Sequence, residues 1–162
     1  MNTQFRIGLG YDVHRLATGE KLVLGGVLVS EEFGTVAHSD GDVLLHAICD
    51  AVLGSAALGD IGEHFPDTDA AYRGIASIEL LKQCVALIDE RGYEIVNIDA
   101  TLILELPKIL PFKMEMRKHI ASACGLAIDS VSLKATTAER MGFVGRGEGV
   151  EAHAAVLIER KS

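Results

Sequence analysis

Apolar residues recur along the chain at the two spacings that distinguish helices from strands. Residues 93–105 alternate between apolar and other side chains, which predicts a strand. Residues 77–91 carry an apolar side chain every three or four positions, which predicts an amphipathic helix that Gly92 ends. A second helix is predicted over residues 111–124, because proline favours the first helical turn and Gly125 follows as a stop.

Shorter β-rich segments fill most of the remaining chain. They predict strands at residues 6–15, 130–137 and 150–159, a hairpin at 21–29 and a connecting loop at 31–36. No linker, repeat or low-complexity tract divides the sequence. We therefore expect one α/β (α+β) domain over residues 1–162, with a mixed four-stranded sheet, helices packed on one face and a small peripheral hairpin.

One helix, predicted to extend from Asp40 or Asp42 to Leu58, is apolar on almost every side. Such a helix must be buried on several faces. Its polar side chains form a stripe at helical spacing, made of Asp42, His46 and Asp50. We expect this stripe to face a site or a subunit contact. Ser39, three residues before Asp42, is expected to cap the helix.

The bulk composition narrows the classes of function. The 162 residues are 49% hydrophobic and 23% charged, which is typical of a globular protein. A formal net charge of −8 argues against binding to nucleic acid or an anionic membrane, but not against a phosphorylated small molecule. Three widely spaced cysteines predict buried free thiols and a cytoplasmic location. The N-terminus lacks a signal-peptide pattern, and no apolar run reaches membrane length.

Two imidazoles and one carboxylate form a candidate zinc site. Asp12 and His14 are two residues apart on a predicted strand, so both side chains leave the same face. His46, on the adjacent helix, supplies a third ligand and leaves a fourth position for substrate. An isolated D-x-H is more often a core or surface histidine, but the run H-S-D-G-D-x-x-x-H-x-x-x-D favours the metal site. Asp50 is either an outer partner of His46 or one half of a helix salt bridge.

Several further segments suit phosphate or a nucleotide base. His38 and Ser39 precede the long helix, whose free N–H groups favour an anion. In KATTAE, residues 134–139, hydroxyl groups suit phosphate oxygens and the glutamate can bind Mg²⁺. The glycine-rich run 145–149 favours a tight turn with an Arg–Glu pair at least as much as a phosphate loop. The prolines of LPKILP, residues 106–111, predict a rigid turn whose backbone groups can recognise a base.

Taken together, six segments closely resemble the 2-C-methyl-D-erythritol 2,4-cyclodiphosphate synthase family in order and spacing. They are YDVHR, HSDGDVLLHAICDAVLGSAALGDIG, FPDTD, PKILP, KATTAE and GFVGRGEG, and the likeness extends from Arg6 to Ile158. The resemblance implies conversion of 4-diphosphocytidyl-2-C-methyl-D-erythritol 2-phosphate to the cyclic diphosphate and CMP, in non-mevalonate isoprenoid biosynthesis. Because the 2-phosphate of the substrate attacks its own β-phosphate, the protein must fold the substrate and neutralise charge rather than supply a nucleophile.

The resemblance also implies roles for individual residues. The implied Zn²⁺ ligands are Asp12, His14 and His46, and the implied ligand of a bridging Mg²⁺ or Mn²⁺ is Glu139. The implied catalytic residues, which stabilise charge in the transition state, are His38 and Thr137. Besides these, the residues implied to bind the cytidine diphosphate substrate are Ser39, Asp60, Ile61, Gly62, Phe65, Pro66, Asp67, Thr68, Asp69, Leu104, Glu105, Leu106, Pro107, Lys108, Ile109, Leu110, Thr136, Ala138, Phe143 and Arg146.

The family forms homotrimers with active sites between neighbouring subunits, so the resemblance implies a pocket built from two chains. Phe143 and Arg146 are then expected near the trimer axis, where some relatives hold an isoprenoid diphosphate. Tyr11, where phenylalanine is frequent, and Ala138, where threonine is frequent, are mild departures that remove no metal ligand.

Two other functions stay open from the residues alone. One is a phosphoester hydrolase that uses a zinc-bound water. The other is a non-catalytic protein that binds an isoprenoid diphosphate or a nucleotide, against which the intact ligand set of Asp12, His14 and His46 argues.

Overall fold

The computed structural model describes residues 4–37, 39–66, 68–69, 72 and 74–161. The strands are β1 Phe5–Thr18, β2 Leu22–Leu24, β3 Val27–Ser30, β4 Phe33–Thr35, β5 Tyr93–Ile103, β6 Val131–Thr136 and β7 Gly149–Arg160. The α-helices are α1 Val43–Ser55, α2 Ile61–His64, α3 Ser77–Glu90, α4 Lys113–Cys124 and α5 Gly142–Gly145. Short 3₁₀ turns at Leu110–Phe112 and Ile128–Ser130 precede α4 and β6.

The main sheet has the strand order β4-β1-β7-β5-β6, and β2 and β3 form a separate hairpin. Only the β5–β6 pair of this sheet is parallel, so the sheet is mixed, and the predicted α/β class is confirmed. The predicted number of strands was one too few. Residues 33–35, expected to lie in a loop, pair with the end of β1 as an edge strand. Three residues are too short a run to show the alternation of a strand.

The described helices α1, α3 and α4 pack against one face of the sheet, whereas side chains of β1 on the other face are exposed. α1 lies in the centre of the covered face, and ten of its thirteen residues are buried, as its nearly continuous apolar surface predicts. The helix is shorter at both ends than the sequence predicts. Cys49, Cys84 and Cys124 are free and buried between the helices, which confirms the prediction of free thiols. Among the described residues no helix is long and apolar enough to cross a membrane.

The open face carries apolar side chains of β1. Ile7 and Leu9 are 68% and 75% exposed, and Tyr11 and Val13 continue the same row. Monomeric proteins rarely expose a contiguous apolar surface of this kind. Such a surface usually marks a contact with another molecule.

Two glycines let α1 lie directly on β1. A Cβ atom at Gly8 would lie 1.9 Å from the carbonyl oxygen of Ala51, and one at Gly10 would lie 1.8 Å from that of Ala47. Only glycine therefore permits this separation of helix and strand. The close approach brings the side chains that follow Gly10 on the same face of β1 next to the first turns of α1.

Asp42 fixes the start of α1 and also the hairpin. Its carboxylate accepts hydrogen bonds from the backbone N–H of Leu45 at 3.0 Å, of Gly25 at 3.0 Å and of Gly26 at 2.7 Å. Asp42, rather than the predicted Ser39, is therefore the N-cap residue. Its side chain is fully buried and does not join the site, in contrast to the predicted polar stripe.

Candidate active site

Three potential metal ligands from two elements converge on the helical side of the sheet. Asp12 and His14 are alternate residues of β1, on the same face as Gly10, and His46 approaches them from α1. Asp12 Oδ2 lies 3.0 Å from His14 Nδ1 and 3.0 Å from His46 Nδ1. One ligand atom from each residue lies within 4.8 Å of the other two, as binding to a single ion requires.

The charges within this cluster depend strongly on one another. Burial opposes ionisation of Asp12, but the contacts with His14 and His46 outweigh burial and lower the pKa of Asp12 to about 2. Burial also disfavours protonated His46, but the hydrogen bond and charge of the Asp12 carboxylate, together with the charges of Asp42 and Asp40, outweigh burial and raise the pKa of His46. The cluster therefore favours a positive charge between the carboxylate and the imidazoles.

The donor set and an unsatisfied nitrogen both fit a divalent metal ion. Two imidazole nitrogens and one carboxylate oxygen are typical ligands of a catalytic zinc with one open position. Among the residues that the structure describes, His14 Nδ1 is buried and makes no hydrogen bond, although Asp12 Oδ2 lies 3.0 Å away. A buried nitrogen of this kind is costly unless a ligand satisfies it. The group of Asp12, His14 and His46 can therefore hold a divalent metal ion.

The outer nitrogen of His46 contacts two serine hydroxyls. Nε2 lies 2.9 Å from Ser77 Oγ and 3.4 Å from Ser39 Oγ. Ser77 Oγ in turn donates a hydrogen bond to Asp40. The sequence did not indicate this chain of contacts. Asp40 belongs to the HSDGD run, which was a usable signal, whereas Ser77 was visible only as the start of a predicted helix.

Asp50 has a partner that the sequence did not predict. Its carboxylate accepts a hydrogen bond from the backbone N–H of Ile61 at 2.8 Å, and burial raises its pKa. Asp60 then caps α2 by accepting from the N–H of Glu63 at 3.0 Å. These two carboxylates together fix the short helix α2 beside the cluster.

An open cavity of about 670 Å³ lies beside the metal-ligand cluster, and we call it the large cavity. Its walls are Val13, His14, Arg15, Val36, Ala37, Ser39, His46, Ile61, Gly62, Phe65, Pro66, Tyr72, Ile75 and Leu80. Five of the residues predicted to bind substrate, beyond the metal ligands, border it: Ser39, Ile61, Gly62, Phe65 and Pro66. The volume is in the range of cavities that bind small molecules.

A second cavity of about 240 Å³, which we call the small cavity, lies where β5 and β6 end. Its walls are Leu104, Pro107, Lys108, Ile109, Leu110, Lys113, Ala135, Thr136 and Thr137. Most of the segment predicted to bind the base therefore surrounds one space. The small cavity and the cluster lie toward the same end of the sheet, because Ile103 and His14 pair with adjacent residues of β7.

The turn after β6 has an unusual backbone conformation. Glu139 and Arg140 have φ angles of +51° and +63°, a left-handed region that residues other than glycine rarely adopt. Glu105 Oε1 accepts hydrogen bonds from the N–H groups of Ala138 at 2.9 Å and Arg140 at 3.2 Å. Thr137 Oγ1 donates to Glu139 Oε1 at 2.7 Å. Glu105 therefore holds the backbone on both sides of Glu139 through its side chain, which the sequence did not predict.

Other predicted site residues lie apart from these cavities or outside the described structure. Phe143 lies in α5 and Arg146 follows it, and neither lines the large or the small cavity as far as the described residues define them. Arg146 instead donates two hydrogen bonds of 2.9 Å to Glu148, which confirms the alternative of a turn with an Arg–Glu pair. Thr68 and Asp69 are exposed in the loop beyond α2. The predicted residues His38 and Asp67 lie outside the described residues.

A mixed sheet covered on one face by helices, with an Asp–His–His cluster open to a cavity, defines an α/β protein with a metal-binding site. The sequence model of the YgbB family matches residues 5–159, almost the whole chain. The chain belongs to the YgbB family.

Individual relatives agree with this assignment. The 2-C-methyl-D-erythritol 2,4-cyclodiphosphate synthase of Syntrophotalea carbinolica is 54% identical over 155 residues, which cover 96% of this chain and 94% of that protein. The structure of the bifunctional IspDF from Campylobacter jejuni has a TM-score of 0.93 at 42% identity, covering 96% of this chain and 42% of that longer one. The CDP complex of IspF from Plasmodium falciparum has a TM-score of 0.87 at 31% identity and covers 100% of both chains.

Proposed function

We propose that this chain is a metal-dependent cyclase that converts 4-diphosphocytidyl-2-C-methyl-D-erythritol 2-phosphate to 2-C-methyl-D-erythritol 2,4-cyclodiphosphate and CMP. The observation that carries the proposal is the cluster of Asp12, His14 and His46, which opens onto the large cavity. Relatives of more than half identical sequence bear the name of this synthase, and a relative binds CDP. The reaction belongs to non-mevalonate isoprenoid biosynthesis, and we place it in the cytoplasm.

The reaction joins two ends of one substrate. An oxygen of the 2-phosphate attacks the β-phosphorus, the bond from that phosphorus to the bridging oxygen breaks, and CMP leaves with the electron pair. Negative charge accumulates on the phosphoryl oxygens, so the protein accelerates the step by alignment and charge neutralisation. This demand agrees with a site that brings three potential metal ligands together.

We assign the cluster of Asp12, His14 and His46 to Zn²⁺. Asp12, His14 and His46 would hold the zinc ion, which would supply Lewis-acid polarisation of the β-phosphate. Glu139 would hold a Mg²⁺ or Mn²⁺, which would neutralise charge on the two phosphates of the diphosphate. The exposed carboxylate of Glu139, in a turn that Glu105 holds, supports that assignment.

The two cavities suggest where the halves of the substrate bind. In this proposal the methylerythritol and ribose groups contact Asp60 to Asp69, of which Ile61, Gly62, Phe65 and Pro66 border the large cavity. The cytosine ring occupies the small cavity between residues 104–110 and Thr136. His38 and Thr137 stabilise the charge of the transition state, with Ser39 and Ala138 beside them as phosphate contacts.

We further propose that three copies assemble around the open face of the sheet and that each site combines residues of two neighbouring chains. The exposed row of Ile7, Leu9 and Tyr11 supports association through this face. Phe143 and Arg146 then lie close to the axis, where an isoprenoid diphosphate can bind. The whole chain, residues 1–162, acts as one domain in this assembly.

Incubation of the zinc-loaded protein with the cytidyl substrate, followed by ³¹P NMR, tests the proposed reaction. We expect the resonances of a cyclic diphosphate and of CMP. A linear phosphate product would support the hydrolase alternative and overturn the cyclase. No turnover, together with less than about half an equivalent of zinc per chain, would support a non-catalytic binding protein.

A pair of histidine variants tests whether the cluster of Asp12, His14 and His46 is needed for activity. His46→Ala removes one ligand of the cluster, and we expect it to abolish turnover while the circular dichroism spectrum stays native. His119→Ala, on α4 and outside the lining of both described cavities, is the control and should retain activity. A fully active His46→Ala protein would contradict the assignment of the cluster.

A further inference from the structure

We propose that Ser77 and Asp40 are positioning residues of the metal centre, which hold the imidazole of His46 with its proton on Nε2 and its free electron pair on Nδ1. This inference rests on the part of the proposed function that assigns Asp12, His14 and His46 to a metal ion. It adds two residues that lie outside the group of metal ligands.

The direction of the hydrogen bonds determines the form of the imidazole. A serine hydroxyl has a single hydrogen, and a carboxylate can only accept. Because Ser77 Oγ donates its hydrogen to Asp40 Oδ1, its oxygen is left as an acceptor for His46 Nε2 at 2.9 Å. Nε2 must then carry a hydrogen. In the neutral imidazole Nδ1 consequently has no hydrogen, and its electron pair is free to bind a metal ion. Nδ1 lies 3.0 Å from Asp12 Oδ2, so both atoms can bind the same ion.

Hydrogen bonds from both the backbone N–H and the hydroxyl of Ser77 fix the position of this serine. Ser77 is the first residue of α3 and is fully buried. Its backbone N–H donates to Asp40 Oδ2 at 2.8 Å, while its hydroxyl donates to Oδ1 of the same carboxylate. α3 has no capping side chain of its own at Ala76, so Asp40 supplies the cap from a distant part of the chain. Asp40 therefore fixes the helix start and the hydroxyl together.

An outer partner of this kind has a definite effect on a metal ligand. It fixes the tautomer and the ring orientation of the histidine and raises its basicity, and its removal commonly lowers metal affinity about 10–100-fold. The Ser77 contact links His46 to a residue 31 positions away along the chain. The start of α3 and the metal centre thus depend on each other.

The test uses Ser77→Ala, because this change removes the hydroxyl but retains the backbone N–H that α3 needs for its Asp40 cap. We expect the Zn²⁺ affinity, measured by competition with a chromophoric chelator, to fall about 10–100-fold. The visible absorption of the Co²⁺-loaded protein should also change, since the ring of His46 is no longer fixed. Ser122→Ala, an exposed serine of α4, is the matched control and should bind Zn²⁺ like the wild type.

The design separates a positioning role from a merely structural one. Ser77→Ala with unchanged Zn²⁺ affinity and an unchanged Co²⁺ spectrum would overturn the proposal, even if the metal-free protein became less stable. Adding Asp40→Asn to Ser77→Ala should cause little further loss of affinity, because both residues act through one hydrogen-bonded chain; fully additive losses would contradict this. If Ser77→Ala does not fold, Ser77→Gly, which also removes the hydroxyl and retains the backbone N–H, carries the same expectation of a lower Zn²⁺ affinity.

Failure of the underlying assignment gives a different result. A wild-type protein that binds neither Zn²⁺ nor Co²⁺ overturns the metal centre, and the positioning role with it. A wild type that binds both ions, combined with a Ser77→Ala variant of equal affinity, overturns only the role of Ser77 and Asp40.

Discussion

Asp42 gives the most quantitative prediction about this protein, through the substitution Asp42→Asn. The carboxylate is fully buried, and burial, against the opposing backbone hydrogen bonds, raises the pKa of Asp42 to about 6. The folded protein therefore binds a proton more tightly at Asp42 than the unfolded chain does. Between the unfolded pKa of 3.8 and the folded pKa of about 6, the contribution of Asp42 to the stability of the wild type falls as the pH rises.

The size of the effect follows from the shift of roughly two pKa units. At about 1.4 kcal/mol per unit, the ionisation of Asp42 costs the folded state about 3 kcal/mol in total. About 2 kcal/mol of this loss of stability occurs between about pH 4.5 and about pH 7.5, because Asp42 of the unfolded chain is already mostly ionised at the lower pH. The asparagine does not titrate, so its variant lacks this loss. The side-chain NH₂ group that replaces Oδ2 cannot accept the N–H of Gly26, however, and this lost hydrogen bond costs about 1–3 kcal/mol at the lower pH.

We expect urea unfolding to show that the wild type and Asp42→Asn differ in their free energy of unfolding, and that this difference becomes smaller as the pH rises. Both proteins are measured in a metal chelator at equal chain concentration, so that titration of Asp12 and His46 and any association are shared. Asp42→Asn should be less stable than the wild type at pH of about 4.5, and the gap should shrink by about 2 kcal/mol at pH of about 7.5. A gap that stays constant or widens with pH would refute the reasoning.

Three further predictions concern the elements around the site. Gly10→Ala should lower the free energy of unfolding by about 3 kcal/mol or more and weaken Zn²⁺ binding, because its Cβ would overlap a carbonyl oxygen of α1. The control Gly54→Ala, whose Cβ has room, should be neutral or stabilising. Equal effects of the two variants in urea titrations would contradict this prediction. Glu105→Ala should raise the Mg²⁺ concentration needed for half-maximal turnover about tenfold or more, because Glu105 holds the turn that carries Glu139. Glu105→Gln, which keeps one acceptor oxygen, should raise that concentration less. An unchanged Mg²⁺ requirement would show that Glu105 does not support the role of Glu139. CDP should stabilise the protein in thermal-shift assays by up to about 2.7 kcal/mol at a hundredfold excess over its Kd, and equal shifts with GDP and ADP would remove the cytosine assignment.

The long elements of the fold could be predicted because each carries its own period. The alternation in β5 and the helical spacing in α3 are local properties, so their bounds in the structure lie within two residues of the prediction. β4 was missed because its three residues form a strand only by pairing with Leu16 to Thr18 of β1. Pairing between distant segments leaves no mark on so short a run.

The metal ligands could be predicted for a similar reason, whereas their supports could not. Asp12 and His14 share one face of a strand, and His46 belongs to a run dense in ligands, so the residue types alone indicated chemistry. Asp42 looked equivalent to His46 on a helical wheel, but only the tertiary structure shows that it bonds to the hairpin turn. Ser77 is ordinary in sequence and gains its meaning from a contact across two helices.

The position of β1 in the sheet determines when the metal centre can form during synthesis. Asp12 and His14 leave the ribosome early, but the strand that carries them is bordered along most of its length by β7, with Asp12 opposite Ala152 and His14 opposite Val150. Until those late residues emerge, β1 has only the short β4 beside it and no stable backbone from which to present its ligands. A chain whose synthesis stalls before β7 therefore contains all three candidate metal ligands and still lacks the site that they form.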